Sequence, residues 1–267
     1  MRINQTRKCL AAGGVALGCS VSHLRSPEIP RMFSAAGFDW VFIDSEHGCF
    51  TVETIQDLVR SSLLLPITPI VRVADFQYDL VARALDMGAE GLILPRVDSP
   101  ELLASAITWA KFPPQGVRGF GLTPPMVGYS PASFSEITVH LNREMLLIAQ
   151  IETQSALDRL DELAAVPGLD ALLVGPADLS ISLGVPGEWD SPKLAAGIDR
   201  VIEACHKHNR WPAIQVRNPA LAKRWMGRGM KLIGCGNELA LLWNTVKTLA
   251  DDLQAARAEL SAGRTPD

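Results

Sequence analysis

The residues best able to do chemistry stand where short apolar runs stop. Asp44-Ser45-Glu46-His47 follows Val41-Phe42-Ile43, Arg72 follows Ile70-Val71, and Arg96 follows Leu94-Pro95. Gln150 and Glu152 flank Ile151, and Gly175-Pro176-Ala177-Asp178 follows Leu172-Leu173-Val174. Glu152 and Asp178 close neighbouring runs. Such a carboxylate pair can hold a hard divalent cation through oxygen and leave positions for water and a chelating substrate. Gly175 permits close backbone approach, and the amides after it can receive a carboxylate. His47 is the one histidine of five that directly follows an apolar run with acids beside it, which suits a general base. Arg72 closes an apolar stretch, where a guanidinium belongs if it meets an anion; it suits stabilisation of a developing enolate oxygen.

Each of these has a plainer alternative when taken singly. Glu152 or Asp178 alone reads as a solvated loop acid, and a lone histidine reads as structural. It is their shared position at run ends that favours chemistry. His140, His206 and His208 read as structural or solvated helix residues. Lys8, Lys111, Lys193, Lys207, Lys223 and Lys247 fall on helices or the N-terminal arm, and Lys231 enters the last run at its N-terminal end. A Schiff-base route therefore has no nucleophile here.

The elements that must position these groups alternate. Eight apolar runs, Val15–Val21, Asp39–Ile43, Ile67–Val73, Gly91–Leu94, Met145–Ile151, Leu169–Val174, Pro212–Val216 and Lys231–Gly234, are separated by segments of helical period. Several helices carry end signals. Thr51 caps one, Gly88 ends another, and Ser99-Pro100-Glu101 and Asn218-Pro219 each open one with proline at its first position. Eight units of about 33 residues fill all 267 residues. They predict one domain over 1–267, a closed (β/α)8 TIM barrel with a short N-terminal lead-in and a C-terminal helix. A doubly wound open sheet is the alternative, but no G-x-G-x-x-G follows the first run. In a barrel, chemistry belongs at the C-terminal strand ends, where the polar set lies.

Composition narrows the class further. Hydrophobic residues are 48% and charged residues 20%, with Lys+Arg 25 against Asp+Glu 29. That balance excludes a disordered tail and shows no basic stripe for nucleic acid. Five dispersed cysteines form no C-x-x-C pair and read as free thiols of a cytoplasmic protein. Arg2, Arg7 and Lys8 before Cys9–Cys19 faintly imitate a signal peptide, but the run is short and broken by glycine, so it reads as a lead-in to the first strand. No run is long enough to span a membrane.

The strand-end residues resemble the HpcH/HpaI family of metal-dependent (class II) pyruvate aldolases. The likeness runs from about Val15 to Leu239. It is carried by Ala36-Gly37-Phe38-Asp39-Trp40, Ile43-Asp44-Ser45-Glu46-His47, Val71-Arg72, Leu85-Asp86-Met87-Gly88, Pro113-Pro114-Gln115-Gly116-Val117-Arg118-Gly119, Gln150-Ile151-Glu152-Thr153 and Gly175-Pro176-Ala177-Asp178-Leu179-Ser180. The resemblance implies reversible cleavage of a 4-hydroxy-2-oxo acid to pyruvate and an aldehyde. It makes His47 the proton acceptor and Arg72 the transition-state stabiliser, with Asp44 and Asp86 completing the catalytic set. It gives Glu152 and Asp178 to a divalent metal (Mg²⁺, Mn²⁺ or Co²⁺), and Gln150, Gly175, Ala177 and Asp178 to the keto acid. Asp86, near a helix end, would reach a neighbouring subunit's site in a homo-oligomer, a hexamer by the resemblance. The stretch Phe120–Tyr129 departs from the family by lacking a cation, which leaves the aldehyde's site to the Leu122–Tyr129 loop or to Arg96. A CoA-ester lyase of the citrate-lyase β type is the enzyme alternative, and a keto-acid-binding barrel without catalysis is the other.

Overall fold

The computed structural model describes residues 1–121 and 124–262. Eight parallel strands close in chain order: β1 (Ala16–Val21), β2 (Trp40–Asp44), β3 (Thr68–Arg72), β4 (Gly91–Leu94), β5 (Leu146–Ile151), β6 (Ala171–Val174), β7 (Trp211–Val216) and β8 (Leu232–Asn237), with β8 pairing back to β1. Among the described residues the α-helices are α1 (Gln5–Ala11), α2 (Glu28–Ala35), α3 (Val52–Leu63), α4 (Tyr78–Asp86), α5 (Pro100–Ala110), α6 (Phe134–Glu144), α7 (Gln154–Asp158), α8 (Leu160–Ala165), α9 (Pro176–Ser182), α10 (Pro192–Lys207), α11 (Pro219–Met226) and α12 (Glu238–Ala262). The closed barrel is the expected architecture, and every expected run overlaps a strand, with β2, β7 and β8 reaching one to three residues beyond theirs. The end signals also hold. Thr51, Ser99 and Asn218 accept the amides of Thr54, Leu102 and Leu221, and Gly88 at φ 107° follows α4.

Strands β2 to β6 are buried on both faces, as a helix-covered parallel sheet requires. Their outward side chains form the large core beneath the helices. Their inward ones, among them Trp40, Phe42, Ile70, Ile93, Leu146, Ile148 and Leu173, fill the barrel interior. Filling the taper takes one large residue against a missing one. Trp40 is fully buried, and a Cβ on Gly18 of the adjacent strand would lie 2.3 Å from its indole.

The lead-in, read from sequence as a simple approach to β1, is α1, which seals the N-terminal end of the barrel. Leu10 joins the interior cluster. Thr6 donates to the Asp39 carbonyl and bonds Thr68, while the Asn4 amide donates to the Glu90 and Glu144 carbonyls. Arg2 donates to the carbonyls of Leu63, Leu65 and Ile67 and pairs with Glu90 at 2.8 Å. Burial pushes the Glu90 carboxyl up to about 7 even with Arg2 beside it.

The last helix is different. From Leu239 to Ser261 every side chain except Ala250 is exposed, including Leu241, Leu242, Trp243, Val246, Leu249 and Leu253. Leu17, on the outward side of β1, is 40% exposed where a packed eighth helix would cover it.

Two outcomes follow for stability. Gly18→Ala is expected to lower the free energy of unfolding by about 1–3 kcal/mol, read from the denaturant midpoint, because the indole has no room to yield. The folded protein also holds the Glu90 proton more tightly than the unfolded chain does. Stability therefore falls as pH rises from the ordinary carboxylate range to about 7. Glu90→Gln should flatten that fall in melting temperature between roughly pH 5 and pH 7.5, whereas an unchanged slope would refute the assignment.

Candidate active site

The parallel register of β2 and β3 sets Asp44 beside Arg72 at the C-terminal rim. From there a planar fork forms: Arg72 Nε donates to Asp44 Oδ1 at 2.9 Å and Nη2 donates to Oδ2 at 2.7 Å. Both side chains are about nine-tenths buried. Burial works against the Arg72 charge, but the hydrogen bond and charge of Asp44, with Glu46 and Glu152 nearby, hold its pKa above the ordinary value. The remaining edge of the guanidinium continues across the barrel. Nη1 donates to Gln150 Oε1 at 3.3 Å, and Gln150 Nε2 donates to Glu152 Oε2 at 2.6 Å. Glu46 Oε2 lies 3.0 Å from Nη1 but out of line for a hydrogen bond.

Glu152 is buried, and its Oε1 accepts the Arg96 amide at 3.0 Å. Arg96 adopts φ 49°, a left-handed turn at the end of β4. Burial first, then the charges of Asp178 and Glu46, push the Glu152 carboxyl up to about 7, against the relief that Arg72 gives. Glu46 is likewise raised by burial. Asp178 stands exposed in the first turn of α9, which Gly175-Pro176 opens. A Cβ at Gly175 would sit 2.8 Å from Glu152 Oε2 and 3.0 Å from Gln150 Nε2, so glycine is required there.

A cavity of about 510 Å³ opens at the C-terminal strand ends, lined on one side by Asp44, His47, Arg72, Gln150, Gly175, Ala177 and Asp178, with Glu152 behind it, hydrogen-bonded to Gln150. The His47 imidazole is 65% exposed with Nε2 3.8 Å from Glu46 Oε1. Its main-chain amide donates to Asp44 Oδ1 at 3.3 Å. Asp44 thus positions Arg72 and the backbone of the His47 turn and makes no contact with the imidazole; Glu46 is the acid nearest the ring.

The structure therefore brings together His47, Arg72, Asp44, Gln150, Gly175, Ala177, Asp178 and Glu152. It does not bring Asp86 to the same cavity. Asp86 ends α4 and pairs with buried Arg118 at 2.9 Å. Arg96 reaches the site through its amide, and its side chain does not line the cavity. Leu122, Thr123 and the side chain of Met126 lie outside the described residues, and the described part of that loop, Tyr129 included, does not line this chain's cavity. None of the seven lysines lines it either. Lys231 donates to the Gly13 carbonyl at the opposite end, and Lys111, pushed down to about 8 by burial, donates to the Asn142 carbonyl.

Two parts of the site escaped the sequence reading. Glu46 was visible as a neighbour of His47, but its place beside Arg72 was not. The second is the wall from β7 and β8, with Gln215, Arg217 and Asn237. Val216-Arg217 repeats the Val71-Arg72 pattern of a cation closing an apolar strand, and that signal was available.

The donor set fits a hard divalent cation. Both donors are carboxylates; Glu152 is raised first by burial and then by the charge of Asp178, and each Glu152 oxygen accepts one hydrogen bond and keeps a lone pair. Among the described residues no group of three or more His, Cys, Asp or Glu is assembled to hold a metal, so further ligands would be oxygens of water or substrate.

A parallel barrel that gathers carboxylates, a guanidinium and an imidazole around a cavity at its C-terminal rim has the layout of the barrel enzymes. The family described as HpcH/HpaI aldolase/citrate lyase matches residues 22–244, and the chain belongs to it. It is 28% identical over 263 residues to a hydroxypyruvate/pyruvate aldolase of Cupriavidus necator, covering 98% of this chain and 97% of that protein. It is 29% identical over 253 residues to a 5-keto-4-deoxy-D-glucarate aldolase of Enterobacter sp., covering 94% and 97%. Among solved structures, an HpcH/HpaI aldolase from Desulfitobacterium hafniense superposes with a TM-score of 0.89 at 29% identity, covering 93% of this chain and 96% of that one.

The Asp44–Arg72 fork makes a specific stability prediction. Asp44→Leu alone leaves a buried guanidinium without its partner and is expected to cost about 3–5 kcal/mol. The double substitution Asp44→Leu, Arg72→Met should recover at least half of that in denaturant titration. Equal loss in the single and double variants would mean the fork contributes packing rather than charge pairing.

Proposed function

We propose that this chain is a metal-assisted aldolase that reversibly cleaves a 4-hydroxy-2-oxo acid to pyruvate and an aldehyde. The observation that carries this reading is one cavity lined by Asp178, the Arg72 fork and His47, with buried Glu152 held directly behind Gln150 and Gly175 and no lysine on its wall. The family membership and the aldolases among its relatives support the same chemistry.

In the cleavage direction His47 takes the proton from the 4-hydroxyl, the C3–C4 bond breaks to leave the aldehyde, and its electrons move toward the 2-oxo oxygen. Arg72 spends Nε and one N–H of each Nη on Asp44 and Gln150, so one N–H on each Nη is left for the developing enolate oxygen. Gln150, fixed between Arg72 and Glu152, and the turn Gly175–Asp178 orient the keto acid. Protonation at C3 then yields pyruvate. Glu152 and Asp178 would hold a divalent cation, whose contribution when bound is to chelate the keto acid and withdraw charge from its carbonyl. Mg²⁺, Mn²⁺ and Co²⁺ are the proposed ions, since the donors are oxygen. The His47 placement favours this aldol reading over CoA-ester cleavage.

Homo-oligomerisation, as a hexamer, belongs to the same reading. It is supported by the apolar exposed length of α12 and the uncovered Leu17, and a neighbouring copy is what would give Asp86 a site to serve. A cytoplasmic location is supported by five free cysteines; no helix among the described residues is long and apolar enough to cross a membrane.

The test needs no knowledge of the aldehyde. Exchange of pyruvate methyl protons in heavy water should require added divalent metal, stop on chelation, and return with Mg²⁺, Mn²⁺ or Co²⁺. His47→Ala should slow aldol cleavage by about 10²–10⁴-fold, and Glu152→Gln or Asp178→Asn should raise the metal concentration needed. Borohydride should trap no pyruvyl-lysine. Full turnover without metal, or a trapped adduct, would overturn the proposal.

A further inference from the structure

The wall of the cavity built from β7 carries a cation that the chemistry above leaves unused. Two arginines line the cavity, Arg72 and Arg217. Arg72 is engaged by Asp44, with Glu46 beside it. Arg217 has no carboxylate partner among the described residues. Asp190 and Asp199 are paired elsewhere, with Arg224 at 2.8 Å and with Arg228 at 2.7 Å. The Arg217 guanidinium lies 4.9 Å above the Trp189 ring, which also lines the cavity, so the charge is held at the mouth by cation–π contact instead of an ion pair.

Its position relative to the keto-acid turn follows from the strands. β6 and β7 are adjacent, with Val174 in register with Ile214. One step further, Gly175 lies beside Gln215, so the Gly175–Asp178 turn runs alongside the end of β7 that carries Arg217. Adjacent strands are about 4.8 Å apart, so a molecule extending from that turn reaches the β7 wall within a few atoms. The floor there is polar. Gln215 Nε2 and Ser20 Oγ both donate to the Gly236 carbonyl, and Gln215 Oε1 is buried with no hydrogen-bond partner. Of the two carboxylates that line the cavity, Asp44 is paired with Arg72 and Asp178 belongs to the proposed metal pair, and neither is paired with Arg217. A guanidinium on an aromatic platform without a carboxylate partner is electrostatically complementary to an anion.

We propose that Arg217 is the specificity-determining residue for the aldehyde half of the substrate, and that it selects an acceptor carrying an anionic group. The inference rests on the aldolase reading and adds to it where the second substrate lies and what charge it bears. The acceptor wall is thus the β7 end of this same chain, in place of Arg96 and the Leu122–Tyr129 loop.

The experiment compares pairs of aldehydes that differ in charge: 4-oxobutanoate against butanal, and glyceraldehyde 3-phosphate against glyceraldehyde, each condensed with pyruvate. The readout is the ratio of kcat/KM for the anionic to the neutral member. In the wild type each favoured ratio should exceed one and shrink as salt is raised. Arg217→Met, which keeps a stem to lie on Trp189, should lower that ratio roughly tenfold, mainly through KM, and Arg217→Lys should restore part of it. A preference confined to the first pair assigns a carboxylate to the site, and one confined to the second assigns a phosphate. If Arg217→Met leaves both ratios unchanged, or lowers anionic and neutral acceptors equally, the assignment is wrong while the aldolase stands. A wild type that neither exchanges pyruvate methyl protons nor condenses any of the four aldehydes overturns the aldolase reading, and this inference with it.

Discussion

The fork between Asp44 and Arg72 is the constraint on which the rest of the site depends. A guanidinium can lie nine-tenths buried at a barrel rim only if a carboxylate meets it edge on, and the β2–β3 register supplies that carboxylate at the adjacent position. Once the plane of Arg72 is set, Gln150 has one orientation: its oxygen faces Nη1 and its nitrogen faces Glu152. The amide therefore passes the geometry of the β2–β3 edge to the opposite strand. Glu152, the Arg72 guanidinium and the turn carrying His47 hang on one hydrogen-bonded line.

That line also explains why the charges tolerate one another. Glu46, Glu152 and Asp178 are crowded enough that burial and mutual repulsion raise two of them, and Arg72 alone does not neutralise the group. The polypeptide holds negative charge together at the expense of its own ionisation. Further positive charge would favour the ionised carboxylates, and a bound divalent cation is one way to supply it.

The barrel was legible because each strand is a short apolar run that breaks at a polar residue, and eight such breaks in one chain leave few alternatives. The rim positions of Arg72 and Glu152, set by the ends of β3 and β5, were legible for the same reason. What the sequence could not convey was direction across the molecule. Thr6 and Leu10 carry no mark that their partners are Thr68 and the barrel floor, so the lead-in concealed a seal. Asp86 is an acid near a helix end by either reading, and only coordinates place it against Arg118. Asp44 was read as one of a catalytic group, whereas its carboxylate is spent on Arg72 and on the amides of Glu46 and His47.

The beginning of α12 has a further meaning. Glu238 is buried, and its Oε1 accepts the amides of Ser22, His23 and Leu24, the turn that leaves β1. The Ser22 carbonyl in turn accepts the Cys49 amide, two residues beyond His47, and a Cβ on the intervening Gly48 would collide with the Asp44 carbonyl. The helix is thus rooted in the scaffolding of the base, whatever its exposed length does. Mutations can drift freely along the outer turns, but near the root any change in the helix's angle pulls on the histidine turn. Evolutionary freedom should rise with distance from Glu238, making α12 a gradient of constraint within one continuous element.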